Sequence, residues 1–272
     1  MPVELTAWYV FAAGVCGLVL GSFLNVCIYR LPRDMSVVAP RSFCPECGVQ
    51  IRWYDNVPLL SYAALRGKCR ACGKGIALSY PLVELATAAL FAAVAYRYGW
   101  SLTALKWMIF EAIMVVLFWT DLEEKILPDE FTLGGTAVGL VLAIFVMVPG
   151  TFTAILLPAW NPVRRSLLNA SLGAGLLAGP MWLMGLLYEK VRKREGLGFG
   201  DVKLLLLFGV FLGLESGLMA LLIGAVAGAV IGLIYIAAAH KKFSENELPF
   251  GSFLCAGAAF VPLLSRLGSG GP

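Results

Sequence analysis

Long apolar runs separated by short polar segments dominate the chain. They lie near Ala7–Tyr29, Leu82–Tyr98, Leu102–Thr120, Phe131–Val148, Leu167–Tyr188, Leu197–Leu214, Leu218–Ala239 and Leu248–Leu267. A bilayer-spanning helix needs about 20 mostly apolar residues, so the pattern predicts an all-α polytopic membrane protein of about eight transmembrane helices. One polar tract, residues 30–80, is far longer than the rest. The expected organisation is a first transmembrane helix over 1–29, a cytoplasmic four-cysteine loop over 30–80 and a core of about seven helices over 81–272. No internal repeat is visible.

Composition agrees. Hydrophobic residues make up 60% of the 272 positions and charged residues 14%, with mean hydropathy +0.83. Average soluble chains carry about 25% charged residues. The net charge of +4 gives no reason to expect a nucleic-acid partner; the expected surroundings are a lipid bilayer. The distribution of charge is more informative than its sum. Sixteen of the 21 Lys and Arg residues fall in alternate loops, eight of them in residues 30–80. Positive charge marks the cytoplasmic side, which puts the long loop, Asp121 and Asp201 there and both termini in the periplasm. Glu4 and the lack of Lys or Arg in the first six residues argue against a signal peptide. Trp160, between Pro158 and Pro162, suits an interfacial loop on the opposite side.

The long loop contains Cys44-Pro-Glu-Cys47 and Cys69-Arg-Ala-Cys72, with 21 residues between Cys47 and Cys69. Two C-x-x-C pairs at this separation read as a four-thiolate zinc site. A glycine follows each pair, Gly48 and Gly73, where a tight turn brings backbone towards sulfur. Four ligands leave no open position for water, so the one zinc expected there is structural. A loop of this size builds little core, and a metal supplies what it lacks. Cys16, Cys27 and Cys255 lie in apolar runs and read as small packing residues.

Two aspartates stand where an apolar helix meets polar sequence. Asp121 closes the run ending Phe118-Trp119-Thr120, and Asp201 follows Gly196-Leu-Gly198-Phe-Gly200. The apolar stretch after Asp201 spans only about 20 Å as helix, less than the roughly 30 Å hydrocarbon core, so Asp201 should lie within the membrane boundary. An ionisable residue there points to function. Two close carboxylates that share a proton can act as general acid and general base towards a peptide bond. The glycines would let an extended substrate backbone approach. Asp129 and Glu130 precede the fourth run and read as helix caps or solvated charges. Together with Glu123 and Glu124 they form an acidic patch able to attract basic residues. Glu84 and Glu111 stand within apolar runs and suit hydrogen bonds between helices, and Glu84 is also a candidate site residue. A single histidine, His240, argues against a histidine-based hydrolytic metal site or a Ser-His triad.

Gly198-Phe-Gly200-Asp201-Val-Lys203 resembles the G-x-G-D signature of intramembrane aspartyl proteases. The chain resembles the bacterial type IV prepilin peptidases in several further features: Gly21-Ser-Phe-Leu-Asn-Val-Cys-Ile-Tyr-Arg-Leu-Pro32, the double C-x-x-C loop, Tyr80-Pro-Leu-Val-Glu84-Leu85, and Asp121 with Leu127-Pro128-Asp129. The resemblance implies an inner-membrane enzyme that cuts the basic leader of prepilins or pseudopilins after glycine, at the cytoplasmic face, with Asp121 and Asp201 as catalytic pair. Gly198, Gly200 and Lys203 would support that site. It also implies N-methylation of the new N-terminus from S-adenosylmethionine, with Glu84 as a candidate for that region. Alternatives are a peptidase without methyltransferase activity and a proton-coupled transporter using the two aspartates as a relay.

Overall fold

The computed structural model describes residues 3–192, 198–239 and 249–264. Lys193, Arg194, Gly196, Leu197, His240, Lys241, Lys242 and Arg266 lie outside the described residues. Nine α-helices occur among the described residues, with no β-strand of more than one bridge. They are α1 (Val3–Arg30), α2 (Leu60–Ala64), α3 (Ser79–Tyr98), α4 (Leu102–Glu124), α5 (Asp129–Phe145), α6 (Thr151–Leu156), α7 (Pro162–Arg192), α8 (Phe199–Ala239) and α9 (Phe250–Leu264). Spans Thr6–Arg33, Ser79–Tyr98, Leu102–Glu124, Pro162–Arg192 and Phe199–Tyr235 are long and apolar enough to cross a membrane. α5 has 17 residues and α9 has 15. The two runs expected over 197–239 form one helix with a break at Gly213 (φ 75°, ψ −177°), a conformation that L side chains rarely adopt. The segment after residue 150, expected as loop, instead holds α6, and α7 begins at Pro162, five residues before the expected start.

The chain forms two compact units, Met1–Val116 and Leu117–Pro272, with α4 beginning in the first and ending in the second. In the first unit α1 packs along α3. A Cβ at Gly21 would lie 2.8 Å from the Glu84 Cα, so glycine allows the two backbones to meet. The Asn25 side-chain amide donates to the Tyr80 carbonyl (3.0 Å), and Glu84 accepts from the Leu59 N–H (2.8 Å). Glu84 is thus buried and bonded between α3 and the start of α2.

In the second unit α8 packs against α5, α7 and α9. Where α7 crosses α8, a Cβ on Gly173 would sit 2.6 Å from the Gly209 carbonyl, and one on Gly209 would strike the Gly173 and Ala174 backbone. Beside the break, Ser166 accepts from the Val148 N–H (2.9 Å) and donates to the Ala143 carbonyl (2.7 Å). Glu215 accepts from Thr151 Oγ1 and the Phe152 N–H (2.8 and 2.9 Å) at the start of α6. These bonds satisfy polar groups that would otherwise be costly beside a bilayer.

Candidate active site and cysteine cluster

Asp121 occupies the last turn of α4. That helix stops when Lys125 adopts a left-handed conformation (φ 56°) and its N–H bonds to the Asp121 carbonyl (3.0 Å). The Asp121 side chain is 7% exposed. Its Oδ2 accepts from the Ser252 N–H (2.6 Å) and from Ser252 Oγ (2.8 Å), at the start of α9. Gly251 lies directly beneath the carboxyl, since a Cβ there would fall 3.0 Å from Asp121 Cγ. Asp201 sits in the first turn of α8, with its N–H bonded to the Gly198 carbonyl (3.1 Å). The two carboxyl groups come near enough for the Asp121 charge to act on Asp201, and both act on the buried thiol of Cys255.

The other residues expected around this pair fall into distinct places. A Cβ on Gly198 would lie 3.6 Å from Asp201 Oδ2, so Gly198 borders the carboxylate. Gly200 instead faces Leu127, whose Cδ1 would be 3.2 Å from an added Cβ. Its lack of a side chain makes room for protein, where the sequence reading gave that room to substrate. Lys203 forms an ion pair with Asp129 (2.6 Å), joining the first turns of α8 and α5. Of the two roles expected for Asp129 and Glu130, the helix cap falls to Pro128 instead; both lie in the first turn, where negative charge suits the helix dipole, and the Asp129 side chain is 58% exposed. The acidic patch is correspondingly reduced, because Asp129 is paired with Lys203.

Ser252, Gly251 and Cys255 are absent from the sequence-based set. The available signal is Gly251-Ser252, a small and polar pair opening an otherwise apolar helix after Pro249. Arg30 is missing too. It counts as a loop charge in sequence, yet it is 3% exposed and donates to the carbonyls of Ser36 (2.8 Å), Pro40 (2.8 Å) and Arg41 (3.3 Å).

The four loop cysteines converge, with all Sγ atoms within 4.8 Å of one another and Cys44 Sγ 4.0 Å from Cys72 Sγ. Tetrahedral zinc at about 2.3 Å from each sulfur requires S···S separations of roughly 3.8 Å. A small contraction reaches that value. The two knuckles repeat one backbone pattern. The Cys44 N–H bonds to the Val49 carbonyl and the Gly48 N–H to the Cys44 carbonyl (3.0 and 2.8 Å). The Cys69 N–H bonds to the Lys74 carbonyl and the Gly73 N–H to the Cys69 carbonyl (2.8 and 2.9 Å). Gly48 and Gly73 have φ 70° and 71°. The backbone N–H groups of Cys72 and Ala71 bring the Cys69 thiol down to about 7, and a thiolate is the form that binds metal. Asp55 accepts two bonds from Arg70 (2.9 Å from Nε, 2.6 Å from Nη2), tying the turn at Trp53–Asn56 to the second knuckle.

These features define a multi-pass helical membrane protein with a four-cysteine loop and two aspartates, Asp121 and Asp201, at the end of one helix and the start of another. Residues 15–98 match the bacterial peptidase A24 N-terminal domain, and residues 108–233 match the type IV leader peptidase family. A Myxococcus xanthus protein named prepilin leader peptidase/N-methyltransferase is 40% identical over 243 residues, covering 89% of this chain and 67% of the relative. Relatives of the same name from Burkholderia pseudomallei (38% identical; 90% and 82% covered) and Stutzerimonas stutzeri (34%; 97% and 94%) extend the match along most of the chain. The chain belongs to the type IV leader peptidase family. No solved structure matches it.

Proposed function

We propose that the chain is a bacterial inner-membrane peptidase that removes the basic leader of prepilins or pseudopilins and N-methylates the new N-terminus. The peptidase reading is supported by the placement of Asp121 and Asp201, eighty positions apart, in the last turn of α4 and the first turn of α8, where the Asp121 charge reaches Asp201. Two such groups hold one proton between them. The ionised member takes a proton from water while the other protonates the scissile carbonyl oxygen. The hydroxyl bonds to the carbonyl carbon. Collapse of that adduct breaks the C–N bond, with a proton delivered to the leaving nitrogen. The products are a leader carboxylate and a free amine, and the pair returns to its starting state.

The methyltransferase reading rests on the relatives' name and on the cysteine loop. S-adenosylmethionine would supply the methyl group to the new amine, its sulfonium–methyl bond breaking to leave S-adenosylhomocysteine while the amine would release a proton. Cys44, Cys47, Cys69 and Cys72 would hold one structural zinc ion that fixes the loop and leaves no open ligand position. Glu84, buried where α3 meets the loop, belongs with the methyl-transfer region in this reading. The membrane placement has eight crossings, counting α5, α9 and both parts of α8, with both termini periplasmic and the aspartates cytoplasmic. A proton-coupled transporter gives no account of the four cysteines.

The deciding experiment mixes detergent-purified protein with a prepilin, with and without S-adenosylmethionine. Wild type should cleave in both cases and add one methyl group only with the donor. Asp121→Asn and Asp201→Asn should each abolish cleavage while keeping the wild-type elution volume and helical content. Cleavage by either variant at the wild-type rate would end the peptidase assignment.

A further inference from the structure

A cavity of about 270 Å³ lies within the first unit, between the C-terminal half of α1 and the start of the cysteine loop. Its wall on α1 includes Val19, Phe23, Val26 and Arg30, at spacings of four, three and four residues, which is one helical stripe. The stripe rises about 16 Å from Val19 to Arg30. Val19 is 62% and Phe23 48% exposed, so the apolar part opens sideways from a helix long and apolar enough to cross a membrane. The other end is basic. Arg30 and Arg41 line it together with Ser42, and no Asp or Glu lines the cavity.

No carboxylate balances the charge of this end among the described residues, although the Arg30 guanidinium lies over the Phe43 ring, 5.6 Å from its centroid. The described bonds of Arg30 go to three backbone carbonyl oxygens, which satisfy N–H groups without cancelling charge. A buried guanidinium without a carboxylate is expensive, and Arg30 is 97% buried by its 3% exposure. Arg41 is exposed and has no carboxylate partner among the described residues. Arg30 stands where the apolar run of α1 gives way to the polar loop, at Arg30-Leu-Pro-Arg33. An apolar track of this length ending in two arginines at the membrane boundary complements an anionic phospholipid. A doubly cationic end disfavours a positively charged ligand.

We infer that this cavity is a binding site for one anionic phospholipid, with an acyl chain along Val19, Phe23 and Val26 and the phosphate at Arg30 and Arg41. The site is independent of the peptidase assignment. Filling it would brace the first part of the cysteine loop against α1, because Arg30 already holds the carbonyls of Ser36, Pro40 and Arg41.

Native mass spectrometry of the full-length protein, delipidated in neutral detergent and offered phosphatidylglycerol or phosphatidylcholine of equal chain length, tests this. Wild type should retain one phosphatidylglycerol at concentrations where phosphatidylcholine is not retained. Arg41→Gln should retain at least fivefold less, with unchanged elution volume, and Val26→Phe, which fills the apolar track, should also lose retention. Equal retention of the two lipids, or wild-type retention by Arg41→Gln, would overturn the site. Glycerol phosphate, the headgroup without chains, should leave the thermal midpoint unchanged. A shift matching that of phosphatidylglycerol would mean a soluble phosphate site and would overturn the lipid assignment.

Discussion

Ser252 directs two donors, its N–H and its Oγ, at the same oxygen of Asp121. An oxygen accepting both bonds is committed as an acceptor. In the proposed mechanism the proton held by the pair then belongs on the other Asp121 oxygen or on Asp201, which makes Ser252 a positioning residue. The hydroxyl also lies 3.0 Å from the Phe118 carbonyl, an alternative acceptor in the same last turns of α4. Replacing Ser252 by alanine removes one donor and leaves the backbone donor in place. A hydrogen bond to a charged group contributes about 1.5–3 kcal/mol. Ser252→Ala should therefore lower kcat by roughly tenfold or more, with KM unchanged and the cleavage position preserved. Steady-state kinetics on one prepilin checks this, and Ser252→Thr, which keeps the hydroxyl, should recover most of the loss.

Lys203 and Asp129 form the second link at this site, between the first turns of α8 and α5. Asp129 is 58% exposed at its side chain, so the pair adds little to global stability. Its value is positional, since Lys203 lies two residues from Asp201. Lys203→Glu should slow cleavage several-fold without a measurable change in melting temperature. The exchange of both charges, Lys203→Glu with Asp129→Lys, should restore the rate. Failure of the exchange to rescue would show that Lys203 acts other than through Asp129.

The parts of this protein that are local in sequence were legible. Two C-x-x-C pairs predict the cluster that the four sulfurs form, and each aspartate stands where an apolar run ends or opens. The helices α1, α3, α4 and α5 fall close to the runs that predict them. The partners were not legible, because they are remote. Ser252 is 131 residues from Asp121, and the Leu59 N–H that Glu84 accepts is 25 residues away. Neither polar residue differs from a surface serine or a helix glutamate by pattern alone. Gly200 shows the same limit. A glycine beside a catalytic-type aspartate reads as room for substrate, whereas the space is taken by Leu127. The boundary expected between Leu214 and Leu218 falls beside the break at Gly213, but the chain continues there as helix α8.

The crossing of α7 and α8 depends on glycine for space. Gly173 and Gly209 face each other so closely that either Cβ would meet backbone, which cannot rotate aside. Dispersion and close backbone contact drive helix association in lipid, so separation of this pair weakens the unit that holds Asp201. Overpacking costs about 1–3 kcal/mol, sometimes more. Gly209→Val should lower the melting temperature in detergent and reduce the yield of folded protein. Gly175→Val should be neutral, because nothing lies within 4 Å of an added Cβ there. Equal stability of the two variants would contradict the close crossing.

The cysteine loop should contain about one zinc per chain, and Cys47→Ser should lose it, as measured by elemental analysis. A separate test concerns the ion pair that joins its two halves. The Arg70 guanidinium, bonded twice to Asp55, holds that carboxyl below the usual carboxylate range. A carboxyl depressed on folding contributes stability that is complete above its unfolded value, about 3.9, and is lost as pH falls through the folded value. Asp55→Asn removes this contribution at every pH. In chelator-treated protein, which separates the effect from zinc binding, the Asp55→Asn loop should be cut several-fold faster than wild type by an added protease at pH 7. The difference should narrow below about pH 4, where the carboxyl of the opened loop takes up a proton, and should close as pH falls through the lower folded value. An acid-tolerant protease, calibrated on an unstructured peptide, supplies the measurement. A ratio that stays constant from pH 7 to pH 3 would assign the stabilisation to shape or packing at Asp55 instead of its charge.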